Sequence, residues 1–180
     1  ENTYDKIESN LPYTILRLGL ACNANCLFCN VPPESYSLKE MSTQEAKKEI
    51  ARLASSDKQL RLDISGGEPT IRRDLIDLIN HASKNNIKTI QVQTNAILLS
   101  DKAYARKLKS VGLNKLFVSL HSSMPKIHDS LVGLKGAFKR CVEGIKNSLE
   151  LNIEVALNPV ITTKSYKHLL QYIKFVKNNF

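Results

Sequence analysis

Three of the four cysteines fall within one short run, Cys22-Asn-Ala-Asn-Cys26-Leu-Phe-Cys29, and the fourth, Cys141, lies far along the chain. A disulfide framework spreads an even set of cysteines over a sequence. This layout points instead to a metal centre in a reducing compartment. Thiolates hold zinc or iron–sulfur clusters. A structural zinc site wants four ligands, commonly as two pairs. No second pair is present, and the nearest histidine in sequence, His81, falls on a predicted helix. A [4Fe–4S] cluster usually takes four thiolates; three would leave one iron open to an outside ligand, and an open position implies catalysis. Cys141 sits beside the apolar positions Phe138, Val142 and Ile145 of a predicted helix and reads as a small buried hydrophobe.

The elements that must position this cluster alternate regularly. Apolar spacing predicts strands near residues 14–21, 60–65, 89–94, 115–121 and 153–160, with helices near 43–54, 72–85, 100–111, 138–149 and 166–178. Ser42 and Glu45 form a capping box for the first helix. Ser100 is the expected cap of the third, and Gly112 its stop. The stretch between the fourth strand and the helix bearing Phe138 reads as a loop. Five strand–helix units of this spacing give an α/β fold with parallel crossovers, either an open doubly wound sheet or part of a (β/α) barrel.

Strand parity separates the two. Strands buried on both faces read as continuous apolar runs, whereas these alternate. Leu16, Leu18 and Leu20 oppose Arg17; Leu62 and Ile64 oppose Arg61 and Asp63; Ile90 and Val92 oppose Gln91 and Gln93. Leu116, Val118 and Leu120 oppose Ser119 and His121, and Val155 and Leu157 oppose Glu154 and Asn158. The apolar faces must meet the helices. The polar faces share a wet or ligand-filled concavity, as in a curved, incomplete barrel whose cysteine run sits at a strand's C-terminal end, where barrel active sites form. On this reading Asp63, Gln93, His121 and Asn158 face a substrate, while Arg17 and Glu154 lie deeper.

The CxxxCxxC run with Phe28 before its last cysteine, followed one strand–helix unit later by Gly66-Gly67-Glu68-Pro69, resembles the signature of the radical S-adenosylmethionine (SAM) superfamily. The resemblance covers the chain from about residue 12 onward. It implies a partial barrel of six units, five of them visible here, and a [4Fe–4S] cluster held by Cys22, Cys26 and Cys29, with SAM on the fourth iron. It further implies that Gly66 and Gly67 let the backbone approach the methionine part of SAM, that Glu68 accepts from the SAM ammonium, and that Phe28 places its backbone near the adenine. Asn95, Ser119, His121 and Asn158 are further SAM-contacting candidates; Ala96 stands where the family often has Gly, so a different turn is expected there. Asp63 and Gln93 are substrate candidates. Reduction of the cluster would cleave SAM to a 5′-deoxyadenosyl radical that abstracts hydrogen from a small polar metabolite or a peptide residue. An electron donor such as flavodoxin or ferredoxin is implied. The alternative is a non-catalytic Fe–S or zinc-binding module serving an assembly partner. The stretch Leu120-His121-Ser122-Ser123, Ile127-His128-Asp129 and Gly136-Ala137-Phe138 also resembles a family loop, without naming a substrate.

Length and composition bound the remainder. With 180 residues, 42% hydrophobic and 24% charged, one domain with a substantial core is expected. The sequence ends just past a helix, where the family has another strand, so it reads as a fragment. No apolar run reaches the ~18 residues of a membrane span. No leader opens the chain as given, and a cytoplasmic location is expected. The net charge of +9 is spread over predicted helices, which argues for a solvated surface rather than a nucleic-acid partner.

Overall fold

The computed structural model describes residues 13–30, 40–56 and 60–180. The strands are β1 (Tyr13–Arg17), β2 (Arg61–Ser65), β3 (Thr89–Thr94), β4 (Lys115–Val118) and β5 (Glu154–Leu157). All pair in parallel in chain order, with β1 and β5 as the two edges. The helices are α1 (Thr43–Ser56), α2 (Leu75–Lys84), α3 (Lys102–Ser110), α4 (Pro125–Val132), α5 (Ala137–Glu150) and α6 (Leu169–Asn179). This is the partial (β/α) barrel that alternation and parity predict.

Register explains why the faces differ. One row across the sheet is Leu16, Ile64, Val92, Leu116 and Val155, and it packs with the helices in the main core. The neighbouring row on the opposite face is Ile15, Asp63, Gln91, Lys115 and Glu154. Its charges pair along and across the strands. Arg61 Nε donates to Asp63 Oδ1 (3.1 Å), Gln91 Nε2 to Asp63 Oδ2 (3.0 Å), and Lys115 Nζ lies 3.1 Å from Glu154. Pairing offsets only part of the cost of burying these charges; at Asp63 burial outweighs Arg61 and pushes the carboxyl pKa up. One step toward the strands' C-terminal ends, Ser65 Oγ donates to Gln93 Oε1 (2.9 Å).

Local signals hold with corrections. The Ser42 amide donates to Glu45 and the Glu45 amide to Ser42 Oγ, the reciprocal capping box. Ser100, by contrast, is not the cap of α3. A 3₁₀ turn over Leu98–Ser100 intervenes, and Asp101 accepts the Ala103 and Tyr104 amides instead. The second helix starts at Leu75 rather than near residue 72, because Arg72 is extended (ψ 129°) after the 3₁₀ turn of Pro69–Ile71 and Asp74 takes the N-cap position. The expected loop after β4 contains α4, with Pro125 in its first turn and Gly133 left-handed after it (φ 67°). Leu20 leaves the core pattern: the strand has ended at Arg17, and Leu20 faces a cavity.

Candidate active site

At the C-terminal ends of the strands a cavity of about 410 Å³ opens, a size typical of ligand sites. Cys22, Cys26, Phe28, Cys29, Gly66, Gly67, Glu68, Gln93, Asn95, Ser119, His121 and Asn158 all line it. Asp63 does not. It is 3% exposed and locked one row deeper by Arg61 and Gln91, so the expectation that it faces a substrate is corrected to a structural ion pair.

The glycine pair has a reason within the fold itself. A Cβ on Gly66 would lie 2.2 Å from Gly19 O, and one on Gly67 would lie 2.1 Å from Ala21 O. The space is taken by the chain leaving β1. Gly67 N donates to Gly19 O (2.9 Å) and Glu68 N to Ala21 O (2.8 Å), so the ladder continues past the strands and carries the cysteine loop into place.

Glu68 is a hub. It is 2% exposed. Oε1 accepts from Thr70 N (3.1 Å), Thr70 Oγ1 (2.5 Å) and Thr94 Oγ1 (2.6 Å), while Oε2 accepts from Asn95 N (2.7 Å). Burial pushes its carboxyl pKa up, and these donors pull it back. A carboxylate has about four lone-pair sites, so Oε2 keeps an acceptor direction not used by these bonds. Thr70 and Thr94 were missed as site residues: Thr94 shares parity with Ile90 and Val92, and only its hydroxyl at the strand end signals a polar role. Asn95 has both ends of its amide engaged, Nδ2 donating to Asn23 Oδ1 (2.7 Å) and Oδ1 accepting from Ile97 N (3.0 Å). It therefore ties the cysteine loop to β3. Ala96 adopts a left-handed φ (58°), a conformation that Gly takes without strain.

His121 is 4% exposed. Its Nδ1 accepts the Val160 amide (3.1 Å), which assigns the proton of the neutral ring to Nε2. Burial, then His128, pushes its pKa down to about 4. The ring meets Phe28 edge-on at 4.7 Å and stacks on His128 at 5.7 Å. His128 in turn accepts the His121 amide through Nδ1 (3.2 Å).

Cys22 and Cys29 are exposed and Cys26 is half-buried. Burial, then the neighbouring thiolates Cys22 and Cys29, pushes Cys26 up to about 11; Cys22 is raised for the same kind of reason. Among the described residues no three His, Cys, Asp or Glu side chains converge on one metal-ion position. Three thiols on one cavity wall fit a polynuclear cluster better, since each would bind a different iron. Among the described residues the only ionisable side chains lining the cavity, besides His121, are these thiols and Glu68, and no Lys or Arg does so. Deprotonated together, they demand a cationic occupant. A [4Fe–4S] cluster and the ammonium and sulfonium of SAM meet that demand.

Residues 16–176 match the Radical SAM superfamily. A Saccharolobus islandicus protein named Probable GTP 3′,8-cyclase is 31% identical over 170 residues, 93% of this chain and 54% of its own length. A Sulfurisphaera tokodaii protein of the same name is 34% identical over 155 residues, 86% of this chain and 48% of its own. The chain thus spans about half the length of these curated relatives. The solved structure "Native anSMEcpe with bound AdoMet" shares the fold at TM-score 0.76 and 20% identity, covering 93% of this chain and 48% of that one. Streptococcus suis SuiB bound to S-adenosylmethionine shares it at TM-score 0.73 and 22% identity, covering 97% and 41%. The chain belongs to the radical SAM superfamily, whose members use a [4Fe–4S] cluster and SAM.

Proposed function

We propose that this chain is the radical-generating domain of an enzyme that abstracts a hydrogen atom from a small polar metabolite or a peptide residue. The observation that carries this is the joint lining of one cavity by three thiols and Glu68, without a Lys or Arg among the described residues. When bound, the cluster and SAM supply a one-electron reductive cleavage that yields a 5′-deoxyadenosyl radical. The protein's own groups do the rest. Cys22, Cys26 and Cys29 hold the cluster. Glu68 Oε2 accepts from the SAM ammonium, a charge-assisted bond. Ser119, His121 and Asn158 contact the remainder of SAM, and Gln93, one step deeper, orients the substrate. The reductant is an electron carrier of the flavodoxin or ferredoxin kind, in a reducing, cytoplasmic setting. No helix among the described residues is long and apolar enough to cross a membrane.

The names of the relatives favour a second reading, action on GTP. A triphosphate calls for Arg or Lys partners. The cavity offers none among the described residues, so on that reading the phosphates are held by other parts of the protein. Anaerobic reconstitution, reduction with dithionite and measurement of released 5′-deoxyadenosine test the proposal. Release that requires all three cysteines is expected. Protein carrying about four irons but releasing none would overturn it, and stimulation of release by GTP would decide for the second reading.

A further inference from the structure

The geometry points to α4 as a clamp that sets the conformation of the cysteine loop, with Gly133 as its positioning residue. This rests on the reading that Cys22, Cys26 and Cys29 hold the cluster.

The loop has no regular secondary structure of its own between Cys22 and Cys29, so its shape comes from what it touches. Apart from the Cys29 N–Cys26 O turn (3.1 Å), the backbone amides of its middle donate to the end of α4: Asn25 N to Val132 O and Leu27 N to Leu131 O, both 2.9 Å. These carbonyls belong to the last turn of a helix, where they lack intrahelical partners. The loop therefore satisfies the helix end while the helix end fixes the loop. Cys26 packs on a small apolar cluster of Ile97, Val132 and Ala137. Phe28 meets the edge of His121, which α4 supports through His128. Asn25, Cys26, Leu27 and Phe28 are thus all set by α4 or by a residue that α4 holds.

Gly133 marks the tightest approach. It is left-handed (φ 67°), and a Cβ there would stand 2.4 Å from Asn25 O. That oxygen is backbone and cannot swing aside, so the loop must shift. Gly136 provides an internal control. It is also left-handed (φ 77°), three residues away, yet nothing lies within 4 Å of where its Cβ would be. The two glycines share the backbone strain of Ala at positive φ and differ in whether the loop is struck.

The experiment compares G133A and G136A, each reconstituted anaerobically, by melting temperature, by iron retained after desalting and by the electron paramagnetic resonance spectrum of the reduced cluster. Both variants should melt lower. Only G133A should shift the spectrum and hold iron about 10-fold or more weakly, the cost typical of disturbing groups that orient metal ligands. V132A, which removes the apolar floor under Cys26 without backbone strain, should shift the spectrum in the same way and covers the case that G133A does not fold. Parent-like spectra and iron retention in G133A and V132A, or the same shift in G136A, would overturn the clamp. Failure of the underlying reading looks different: the triple Cys22→Ala, Cys26→Ala, Cys29→Ala protein would retain its iron.

Discussion

Changing Glu68 tests whether this carboxylate is first a ligand contact or first a structural hub. Glu68→Ala strands the buried Thr70 amide and the half-buried Asn95 amide, while the Thr70 and Thr94 hydroxyls are free to rotate. At about 1–3 kcal/mol for each unsatisfied buried donor, the loss is about 2–6 kcal/mol. Total stabilities run ~5–15 kcal/mol, so this alone could leave the variant largely unfolded. Glu68→Gln keeps an oxygen for the Thr70 and Thr94 donors but turns an amide NH2 toward Asn95 N–H. One bond is lost, about 1–3 kcal/mol, and removing a charge whose burial is unfavourable places the cost at the low end. At roughly 2–4 °C per kcal/mol for a chain of this size, melting should fall by roughly 4–24 °C for Ala and roughly 2–12 °C for Gln. Thermal and urea unfolding of the cluster-free protein check this. A Glu68→Ala variant that melts with the parent, or below which Glu68→Gln falls, would refute the hub. Only the Gln variant is then a clean probe of SAM. Losing a bond to the ammonium costs ~1.5–3 kcal/mol, about 10- to 150-fold in affinity, and parent-like calorimetric binding would show that Glu68 does not contact it.

Cys141 is fully buried and its thiol is pushed up to about 12 by burial. It should resist alkylation in the folded cluster-free protein while the three cavity thiols react, and Cys141→Ala should leave iron content unchanged; mass spectrometry after labelling reads both. His121→Asn places an oxygen where Nδ1 accepts the Val160 amide but removes the Nε2 donor, and His121→Gln does the reverse. The Asn variant should therefore melt near the parent yet bind SAM more weakly, with the Gln variant the less stable; parent-like SAM binding in the Asn variant would leave His121 a packing residue. Asp74 accepts Arg72 Nη2 (2.7 Å) and Nε (2.9 Å), and Thr43 Oγ1 (2.7 Å), which hold its carboxyl below the usual range. A depressed folded pKa contributes stability above the unfolded value of ~3.9 and loses it as pH falls through the folded one. Asp74→Asn should thus cost stability at neutral pH and flatten the acid limb below about pH 4, and coincident acid titrations of parent and variant would contradict the pairing.

What was legible in the sequence was what depends on neighbours in sequence. Alternation within each strand gave the apolar face toward the helices, the Ser42–Glu45 pair gave a helix start, and the cysteine spacing with Gly66-Gly67-Glu68 gave the family. What was not legible depends on register or on chains meeting at a distance. Parity puts Asp63 and Gln93 on the same face, but depth is set by pairing: Asp63 is level with Gln91 and Gln93 with Phe117. One carboxylate is therefore sealed in an ion pair, and the amide two residues along β3 from Gln91 reaches the cavity. Likewise α4 hid behind His128, the polar residue that shares its buried face with Leu131 and Val132, although Pro125 and Gly133 mark its ends.

The same division explains where the site sits. Asn95, Ser119, His121 and Asn158 all come after the last residues of their strands, Thr94, Val118 and Leu157. Beyond a strand end the period of two no longer applies, as Leu20 shows by facing the cavity despite matching Leu16 and Leu18. These positions are held instead by a few long-range contacts: the Val160 amide and the Phe28 ring on His121, Asn23 and Glu68 on Asn95, and the chain of Gly19–Ala21 in the space that Gly66 and Gly67 leave empty. Rim positions other than the Glu68 hub can change without disturbing the apolar rows beneath, because the rows are joined strand to strand through register and those rim positions through contacts of individual residues. Asp63 lies on the other side of that boundary, so substitutions there should be read in melting temperature, and those at Gln93 or Asn158 in turnover.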